Sequence, residues 1–231
     1  MRGPFIGSGT FGKIYLSLDL NKGTILVVKQ FHLTSLRYSK QSQFNESLEL
    51  FKTNLSNLLS KLKKHKGFVR IFGYNITNRK LVFFMPFFHK SSLRQLVSVY
   101  GGLDSNIALA FGRQILQTLS FLHGSDIIHG GIKGSNILIS GKNNEIQLTD
   151  IGLSQSLHTI CTQIDYYSAL HWMAPEVING ADAVKASDVW SFGQTMIELL
   201  TGKPLWSATA PIEVMDKIIK MTVFKSTVLC L

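Results

Sequence analysis

The sequence predicts an α+β protein of two unlike lobes: a β-rich first lobe over residues 1–88, an α-rich second lobe over 89–221 and a short tail over 222–231. Apolar residues alternate with a period of two near the start of the chain and recur at spacings of three and four later on. The change follows a linker-like stretch, His89-Lys90-Ser91-Ser92. With 231 residues, of which 45% are hydrophobic, the chain can bury a core and is too apolar to be intrinsically disordered.

The first lobe has the alternation of a small sheet. Turns are predicted at Asn21-Lys22-Gly23 and at Asn75–Arg79, where asparagine, glycine and charged residues interrupt the apolar pattern. Strands joined by such short turns pair as hairpins, so we expect mostly antiparallel pairing. The strands predicted around these turns are 14–18, 24–31, 68–72 and 81–84.

One helix belongs to the first lobe and three helical segments belong to the second. In the first lobe, leucine and phenylalanine recur at helical spacing over 48–62. After the linker, a long helix over 107–122 is expected to be capped near Asp104 or Ser105. The other elements predicted are a helix over about 187–200 that ends at Gly202, a helical piece over 211–221, and short strands at 137–139 and 146–148.

The charge is divided unevenly between the lobes. Residues 1–102 carry 16 basic and three acidic residues, a net charge of +13, whereas residues 103–231 carry eight basic and eleven acidic residues, a net charge of −3. The first half therefore suits an anionic partner, such as nucleotide phosphate, nucleic acid or acidic lipid.

Composition also excludes several classes of protein. The longest apolar run, Leu81–Phe88, is far too short to span a bilayer, and the start of the chain has no apolar signal-peptide core. Two cysteines, Cys161 and Cys230, cannot form a disulfide scaffold or a metal cluster. We therefore expect a reducing compartment, the cytoplasm or the nucleus.

A glycine-rich motif, Gly7-Ser8-Gly9-Thr10-Phe11-Gly12, opens the chain. A dinucleotide-binding motif of this kind is followed by a helix, but here the residues after Gly12 alternate as a strand. A hairpin that closes over phosphates fits better, because bare backbone can approach the anion closely. Lys29 ends the apolar run that follows, where a lysine has few purely structural uses.

Further motifs follow in a fixed order: Ile132-Lys133-Gly134-Ser135-Asn136, Asp150-Ile151-Gly152, Ala174-Pro175-Glu176 and the run Asp188–Gly193. With the glycine motif and Lys29, this set resembles a eukaryotic protein kinase domain of the Ser/Thr type, near the MAP kinase kinase kinase (STE-like) group. The resemblance implies the bilobal protein-kinase-like fold. Only ten residues follow Met221, so it also implies a second lobe truncated after the region that the family calls αG.

The resemblance implies a site for ATP and Mg²⁺. Lys29 would hold the α- and β-phosphates, Lys133 would approach the transferred phosphate, and Asn136 and Asp150 would hold the cation. Met85 falls at the gatekeeper position, and after Pro86 the next adenine contact would be the Phe88 N–H. The nucleotide-binding residues implied are Ile6, Gly7, Ser8, Gly9, Thr10, Phe11, Gly12, Ile14, Lys29, Met85 and Phe88.

The catalytic loop departs from the family pattern at two positions. Gly131 stands where the family has its catalytic aspartate, and Gly130 replaces the arginine that pairs with a phosphorylated activation loop. Glycine cannot accept the proton of a substrate hydroxyl. Loss of a positioned base typically costs 10²–10⁴-fold in rate, or about 3–5 kcal/mol.

Two charge pairs that the resemblance implies also lack the expected partner residue in this sequence. The glutamate that should pair with Lys29 falls at Leu55 or Asn54, and Glu49 could replace it only through an extra helical turn. No arginine occurs after Arg113 to pair with Glu176. The alternatives are solvation of Glu176, or pairing with a lysine: Lys203, Lys217 or Lys220.

These losses predict a domain that binds ATP and Mg²⁺ but transfers phosphate weakly or not at all, a pseudokinase that regulates or scaffolds a partner kinase. Two alternatives stay open: an active Ser/Thr kinase with a protein substrate, and a truncated, non-functional kinase fragment. The basic stretch 61–66 could bind nucleic acid, but a solvated helix end explains it better, since cations suit a helix C-terminus.

Overall fold

Five antiparallel strands form the sheet of the first lobe, in a computed structural model that describes residues 1–9, 12–33, 41–63, 65–77, 80–88, 92–140, 144–152 and 167–228. The strands lie in the order β1-β2-β3-β5-β4. One helix, α1 (Gln41–Leu62), packs on one face of this sheet. The predicted antiparallel sheet with a single helix is therefore confirmed. The strands are β1 (Arg2–Gly9), β2 (Gly12–Asp19), β3 (Thr24–His32), β4 (Gly73–Thr77) and β5 (Lys80–Pro86).

The strand predicted over 68–72 is wrong, because β4 begins at Gly73 and includes residues 75–77, which the sequence placed in a turn. Phe68 instead forms an isolated parallel bridge with Leu148 of the second lobe. The Val69 N–H donates to the Leu148 carbonyl over 2.9 Å, and the Leu148 N–H donates to the Gly67 carbonyl over 2.8 Å. Phe68 and Val69 are buried where the two lobes meet, which explains why these apolar residues lie outside the sheet.

The second lobe is mainly helical, as predicted. Its long helix and the helix before Gly202 confirm the predicted ones, and the Asp104 side chain caps the long helix by accepting the Asn106 N–H over 2.8 Å. The last helix continues to Val228, past the predicted end at 221, so it includes most of the segment predicted as a tail. None of the helices in the described part of the chain is long and apolar enough to cross a bilayer. The elements are α2 (Leu93–Tyr100), α3 (Ser105–Gly124), β6 (Ile137–Ile139), β7 (Ile146–Leu148), α4 (Pro175–Ile178), α5 (Lys185–Thr201) and α6 (Pro211–Val228).

Helix α2 was not predicted, because the sequence around it looks like a linker. The Ser92 hydroxyl accepts the Gln95 N–H, and the Gln95 side chain accepts the Ser92 N–H in return. This reciprocal pair is a capping box, which satisfies backbone donors that the first turn leaves unpaired. The end of the linker-like stretch is therefore the start of a helix.

Each lobe has its own core. In the first lobe Phe31, Leu81 and Phe83 are fully buried against α1, and the rings of Phe31 and Phe83 meet edge to face. In the second lobe Ile115 of α3 and Leu199 of α5 are fully buried in one cluster. These two cores hold the sheet and the helical lobe on either side of a cleft.

Helix α5 ends where predicted. Gly202 has φ +79°, in the left-handed region, and its N–H bonds to the Glu198 carbonyl over 2.8 Å. A Cβ at this position would lie 2.8 Å from the Gly101 carbonyl carbon. Only glycine satisfies both the backbone angle and the close approach.

We expect Asp104→Ala to lower the free energy of unfolding by about 1 kcal/mol, because the N-cap of α3 loses its hydrogen-bond acceptor. Chemical denaturation at neutral pH measures the change. Asp182→Ala is the matched control, since it removes the same charge from an exposed residue outside the helices. Equal losses in the two variants would show that the cap contributes nothing.

Candidate functional site

A cleft of about 970 Å³ lies between the two lobes. The first lobe contributes residues of β1, β2, β3 and β5 to its walls, and the second lobe contributes residues near β6 and β7. Gly7 and Gly12 lie on β1 and β2 next to the cleft, and Thr10 and Phe11 fall outside the described residues. The predicted site residues that line it are Ile6, Ser8, Gly9, Ile14, Lys29, Met85, Phe88, Lys133, Asn136 and Asp150.

The glycine motif forms a hairpin over Lys29. Gly9 of β1 pairs with Gly12 of β2. A Cβ at Gly12 would lie 2.3 Å from the Gln30 carbonyl oxygen, so a side chain is excluded there by the neighbouring strand. A Cβ at Gly9 would lie 3.3 Å from the Lys29 Nζ. The absence of side chains thus brings backbone directly over the lysine, as the predicted phosphate-covering hairpin requires.

A buried ion pair joins the two lobes at the centre of the cleft. The Lys29 Nζ on β3 donates to the Asp150 Oδ2 over 2.5 Å, and both side chains are almost fully buried. Burial costs each charge its hydration, and a partner at this distance offsets that cost. Lys29 and Asp150 therefore satisfy each other in this structure.

Glu49 does not reach Lys29, so the suggested rescue by an extra helical turn is wrong. Its side chain is 70% exposed and accepts from the Lys52 Nζ over 2.5 Å. Leu55, which the residue count placed opposite Lys29, lines a small cavity together with Lys29 and Asp150. A buried aliphatic side chain thus lies where the family pattern has a carboxylate.

The Gly131 position has room for a side chain. Its carbonyl accepts from the Asn136 Nδ2 over 2.8 Å. A Cβ at Gly131 would meet its nearest neighbour, the same Nδ2, at 3.5 Å, an ordinary van der Waals distance. The neighbouring Gly130 has φ +67°, which glycine adopts without strain. An aspartate is therefore missing from this loop although the loop can accommodate one.

The Asp188 side chain binds the backbone of the loop that contains Gly131. Its carboxylate is 1% exposed and accepts the N–H groups of His129 and Gly130, each over 2.8 Å. His123 Nε2 lies 2.9 Å from the same carboxylate. The sequence motif that begins at Asp188 marked this helix, but nothing in the sequence predicted that Asp188 fixes the loop before Gly131.

A second buried carboxylate, Glu198 of α5, holds the other end of the loop. It accepts from the Gly134 N–H over 3.1 Å, the Trp172 Nε1 over 3.0 Å and the Arg94 guanidinium over 3.2 Å. Burial raises the pKa of Glu198, although these donors oppose the shift. No pattern in the sequence predicted this cluster, because its members are more than 20 residues apart.

Lys133 lies inside the cleft at the same loop. Burial lowers its pKa to about 8, partly offset by the Asp150 carboxylate. Its Nζ lies 5.7 Å from the centre of the Trp172 ring. The ammonium group is therefore held in a poorly hydrated environment, where an incoming anion would be bound more strongly than in water.

Asn136 and Asp150 offer oxygen ligands to a hard cation. The Asn136 Nδ2 donates to the Gly131 carbonyl, and Asn136 lines the cleft. The amide oxygen takes no part in that bond and can still act as a ligand. In the described residues no group of three or more His, Cys, Asp or Glu side chains is placed to hold a metal ion. A Mg²⁺ here would take its other ligands from phosphate and water, which is how Mg²⁺ commonly binds in nucleotide sites.

Glu176 pairs with a hydroxyl group instead of a lysine. It is half-buried, and its carboxylate accepts from the Ser187 hydroxyl over 2.5 Å. Among the described residues no ion pair joins it to Lys203, Lys217 or Lys220. The Ser187 oxygen in turn accepts the Val184 N–H over 3.0 Å at the start of α5. A neutral hydroxyl thus takes the place of the expected cation.

The sequence profile described as the protein kinase domain matches residues 2–228 of this chain. Mitogen-activated protein kinase kinase kinase 3 of Arabidopsis thaliana is 32% identical to it over 210 residues, covering 89% of this chain and 33% of that protein. The protein of that name in Homo sapiens is 35% identical over 214 residues, with the same coverage of 89% and 33%. Cell division control protein 7 of Schizosaccharomyces pombe (strain 972 / ATCC 24843) is 32% identical, covering 94% of this chain and 20% of that protein. The chain thus spans a third or less of the length of these relatives.

His129 yields a prediction about acid stability. Its ring is fully buried, and neither ring nitrogen has a hydrogen-bond partner in the described part of the chain. Burial lowers the pKa of His129, although Asp188 and Asp150 oppose the shift. The folded state thus keeps the ring neutral, while the unfolded chain binds a proton below about pH 6.5.

We therefore expect His129 to reduce the free energy of unfolding progressively as the pH falls below about 6.5. His129→Phe removes the titrating nitrogens. The free energy of unfolding of this variant, relative to that of the native chain, should therefore increase as the pH falls from 7.5 to 5. Urea denaturation across this range measures the difference. A difference that is constant with pH would contradict the prediction.

Proposed function

This chain belongs to the protein kinase domain family, and on that premise we propose that it binds Mg-ATP between its lobes but transfers phosphate weakly or not at all. Its role would then be regulatory, as an allosteric partner or scaffold for an active kinase. The observation that carries the proposal is Gly131, which leaves the loop without a base beside the retained Lys29, Asn136 and Asp150.

Nucleotide binding is supported by the shape and charge of the cleft. Its volume of about 970 Å³ suits a nucleotide, and the glycine hairpin brings backbone close to Lys29. Lys29 and Lys133 would contact phosphate, while Asn136 and Asp150 would hold Mg²⁺. The bound cation would neutralise charge on the phosphates. Met85 and Phe88, at the end of β5 and just after it, would contact the adenine.

Weak transfer is supported by how the nearby carboxylates are used. Asp150 is paired with Lys29, Asp188 binds loop N–H groups, and Glu198 accepts from three donors. None of these three carboxylates is free to take a proton from a substrate hydroxyl at Gly131.

An active Ser/Thr protein kinase remains the second candidate, and the space beside Gly131 favours it. A water molecule or a carboxylate of the substrate could occupy the position that an aspartate would fill. Positioning and electrostatics supply most of the catalysis of phosphoryl transfer, so such an enzyme could retain part of the rate. The two candidates share the nucleotide site and differ in the rate of transfer.

The compartment we propose is the cytoplasm or the nucleus. Two cysteines do not provide a disulfide framework, and a kinase-like role requires ATP and a protein partner. The partner would be a protein substrate or, for the regulatory role, a partner kinase.

We expect ATP with Mg²⁺ to raise the midpoint of thermal unfolding by several degrees, because ligand at about 100 times Kd stabilises a folded protein by about 2.7 kcal/mol. Asp150→Asn should remove the part of the shift that depends on Mg²⁺, and Lys29→Met should reduce the shift with or without the cation. The matched control is the exposed pair Lys185–Asp126, 2.7 Å apart in the second lobe, whose variants Lys185→Met and Asp126→Asn should keep the full shift. Absence of any shift in the native chain would contradict nucleotide binding.

We expect Gly131→Asp to raise the rate of phosphate transfer by about 10²–10⁴-fold, because it restores a base where the loop has space for one. Transfer of labelled phosphate to a generic protein substrate, or to the chain itself, measures the change. Gly131→Asn is the matched control, since it adds a side chain of the same size without a base and should give no gain. Turnover of about 1–100 s⁻¹ in the native chain would instead establish the active kinase.

A further inference from the structure

The sheet of the first lobe has a second face that no element covers within the described residues. Side chains alternate across each strand, so Lys29 lies in the cleft while Val28 and Gln30 lie on the opposite face. On that face the sheet forms an open trough of about 1360 Å³. We propose that this trough is a docking surface for an acidic, partly apolar segment of a partner protein.

The floor of the trough is apolar. It includes Val28 of β3 together with Val82 and Phe84 of β5, the last two only half-buried. Phe72 and Ile25 lie at its sides with 55% and 52% of their surface exposed. Single exposed apolar residues are common on any protein, but a contiguous group in a concavity is typical of an interaction site.

The rim of the trough is basic. Five cationic side chains line it against one acid, Asp19, whose carboxylate already accepts the N–H groups of Asn21 and Lys22 in a turn. Among the described residues none of the five forms an ion pair. The cations are Arg2, Lys22, Lys63, Arg70 and Lys80.

Two of these cations are already oriented. The Arg2 guanidinium donates to the Gln30 side chain over 3.3 Å and lies 4.6 Å from the centre of the Tyr15 ring. The Arg70 guanidinium lies 5.8 Å from the centre of the Phe72 ring. A guanidinium that stacks on an aromatic ring keeps donors free for a carboxylate. Because these two arginine side chains are already oriented, they would lose less conformational entropy when a segment docks.

Shape and charge together favour an acidic polypeptide over the other occupants. A second copy docked trough to trough would bring two surfaces of the same positive sign together, and these repel each other. A membrane surface is flat on this scale and could not fill a concavity. A nucleic acid would satisfy the cations but would leave the apolar floor exposed to water. A segment that alternates acidic and apolar side chains satisfies both.

The probe for the test is a short fluorescein-labelled peptide that alternates glutamate with leucine and phenylalanine. We expect it to bind the full chain with a Kd in the micromolar range, measured by fluorescence anisotropy. Two control peptides, one with serine for each apolar residue and one with lysine for each glutamate, should bind at least tenfold more weakly. A single-stranded oligonucleotide and vesicles of anionic lipid serve as the other classes of ligand.

The variant Arg70→Glu/Lys80→Glu should weaken binding of the peptide by about tenfold or more, the ratio that corresponds to about 1.4 kcal/mol. Lys203→Glu/Lys217→Glu is the matched control, because it makes the same change of charge at exposed positions of the second lobe. It should bind the peptide like the native chain. Equal effects of the two double variants would overturn the proposal, since binding would then follow total charge alone.

Lysine acylation of the native chain provides a test that does not depend on a variant. With peptide bound, Lys22, Lys63 and Lys80 should lose reactivity, while Lys203 and Lys217 should keep it. No saturable binding, or stronger binding of the oligonucleotide or vesicles through the same lysines, would overturn the proposal. The proposal would also be overturned if those lysines became protected when the protein concentration is raised without peptide. That result would identify a second copy as the occupant. No nucleotide is present in any arm, so failure here is distinct from failure of the proposed nucleotide site.

Discussion

The ion pair between Lys29 and Asp150 is the contact on which the arrangement of the cleft depends. The two residues are 121 positions apart in the chain and belong to different lobes, yet their charged groups meet at 2.5 Å with both side chains almost fully buried. Removing one partner of a buried pair typically costs about 3–5 kcal/mol, because the other charge is left without hydration. The pair therefore ties the glycine hairpin above it to the loop below it, and the residues proposed to bind phosphate and cation are positioned by the same contact.

The charges around this pair serve structure more than chemistry. Asp188 and Glu198, both 1% exposed, bind backbone N–H groups at the two ends of the loop that contains Gly131. Leu55 fills a position where the family pattern has a carboxylate. The site thus keeps the groups proposed to hold an anion and a cation, and has glycine where the family has the carboxylate that moves a proton. This division is what a domain that binds nucleotide without efficient transfer requires.

Local patterns in the sequence predicted the sheet, α1, α3 and α5, because side-chain periodicity and capping residues act within one element. They failed where a segment is shaped by distant contacts. Phe68 and Val69, from the strand predicted over 68–72, are buried against Leu148 of the other lobe instead of pairing in the sheet, and the short helix α2 looked like a linker. The motifs predicted which residues line the cleft, but not that Asp150 pairs with Lys29 or that Ser187 binds Glu176. Those contacts join residues whose separation along the chain follows no periodic pattern, so the sequence alone does not predict them.

The bonds from Asp188 to the loop have a consequence for how this sequence can change over time. Asp188 recognises the main chain at residues 129 and 130, and every amino acid except proline supplies the same N–H group. The backbone of residues 129 and 130 is therefore held from a neighbouring helix, while the Asn136 side chain holds the Gly131 carbonyl. A substitution at 131, where a Cβ has room, can add a reactive group while the backbone stays in place, whereas the φ of +67° favours glycine at 130. The shape of this loop and the chemistry of its side chains thus depend on different residues.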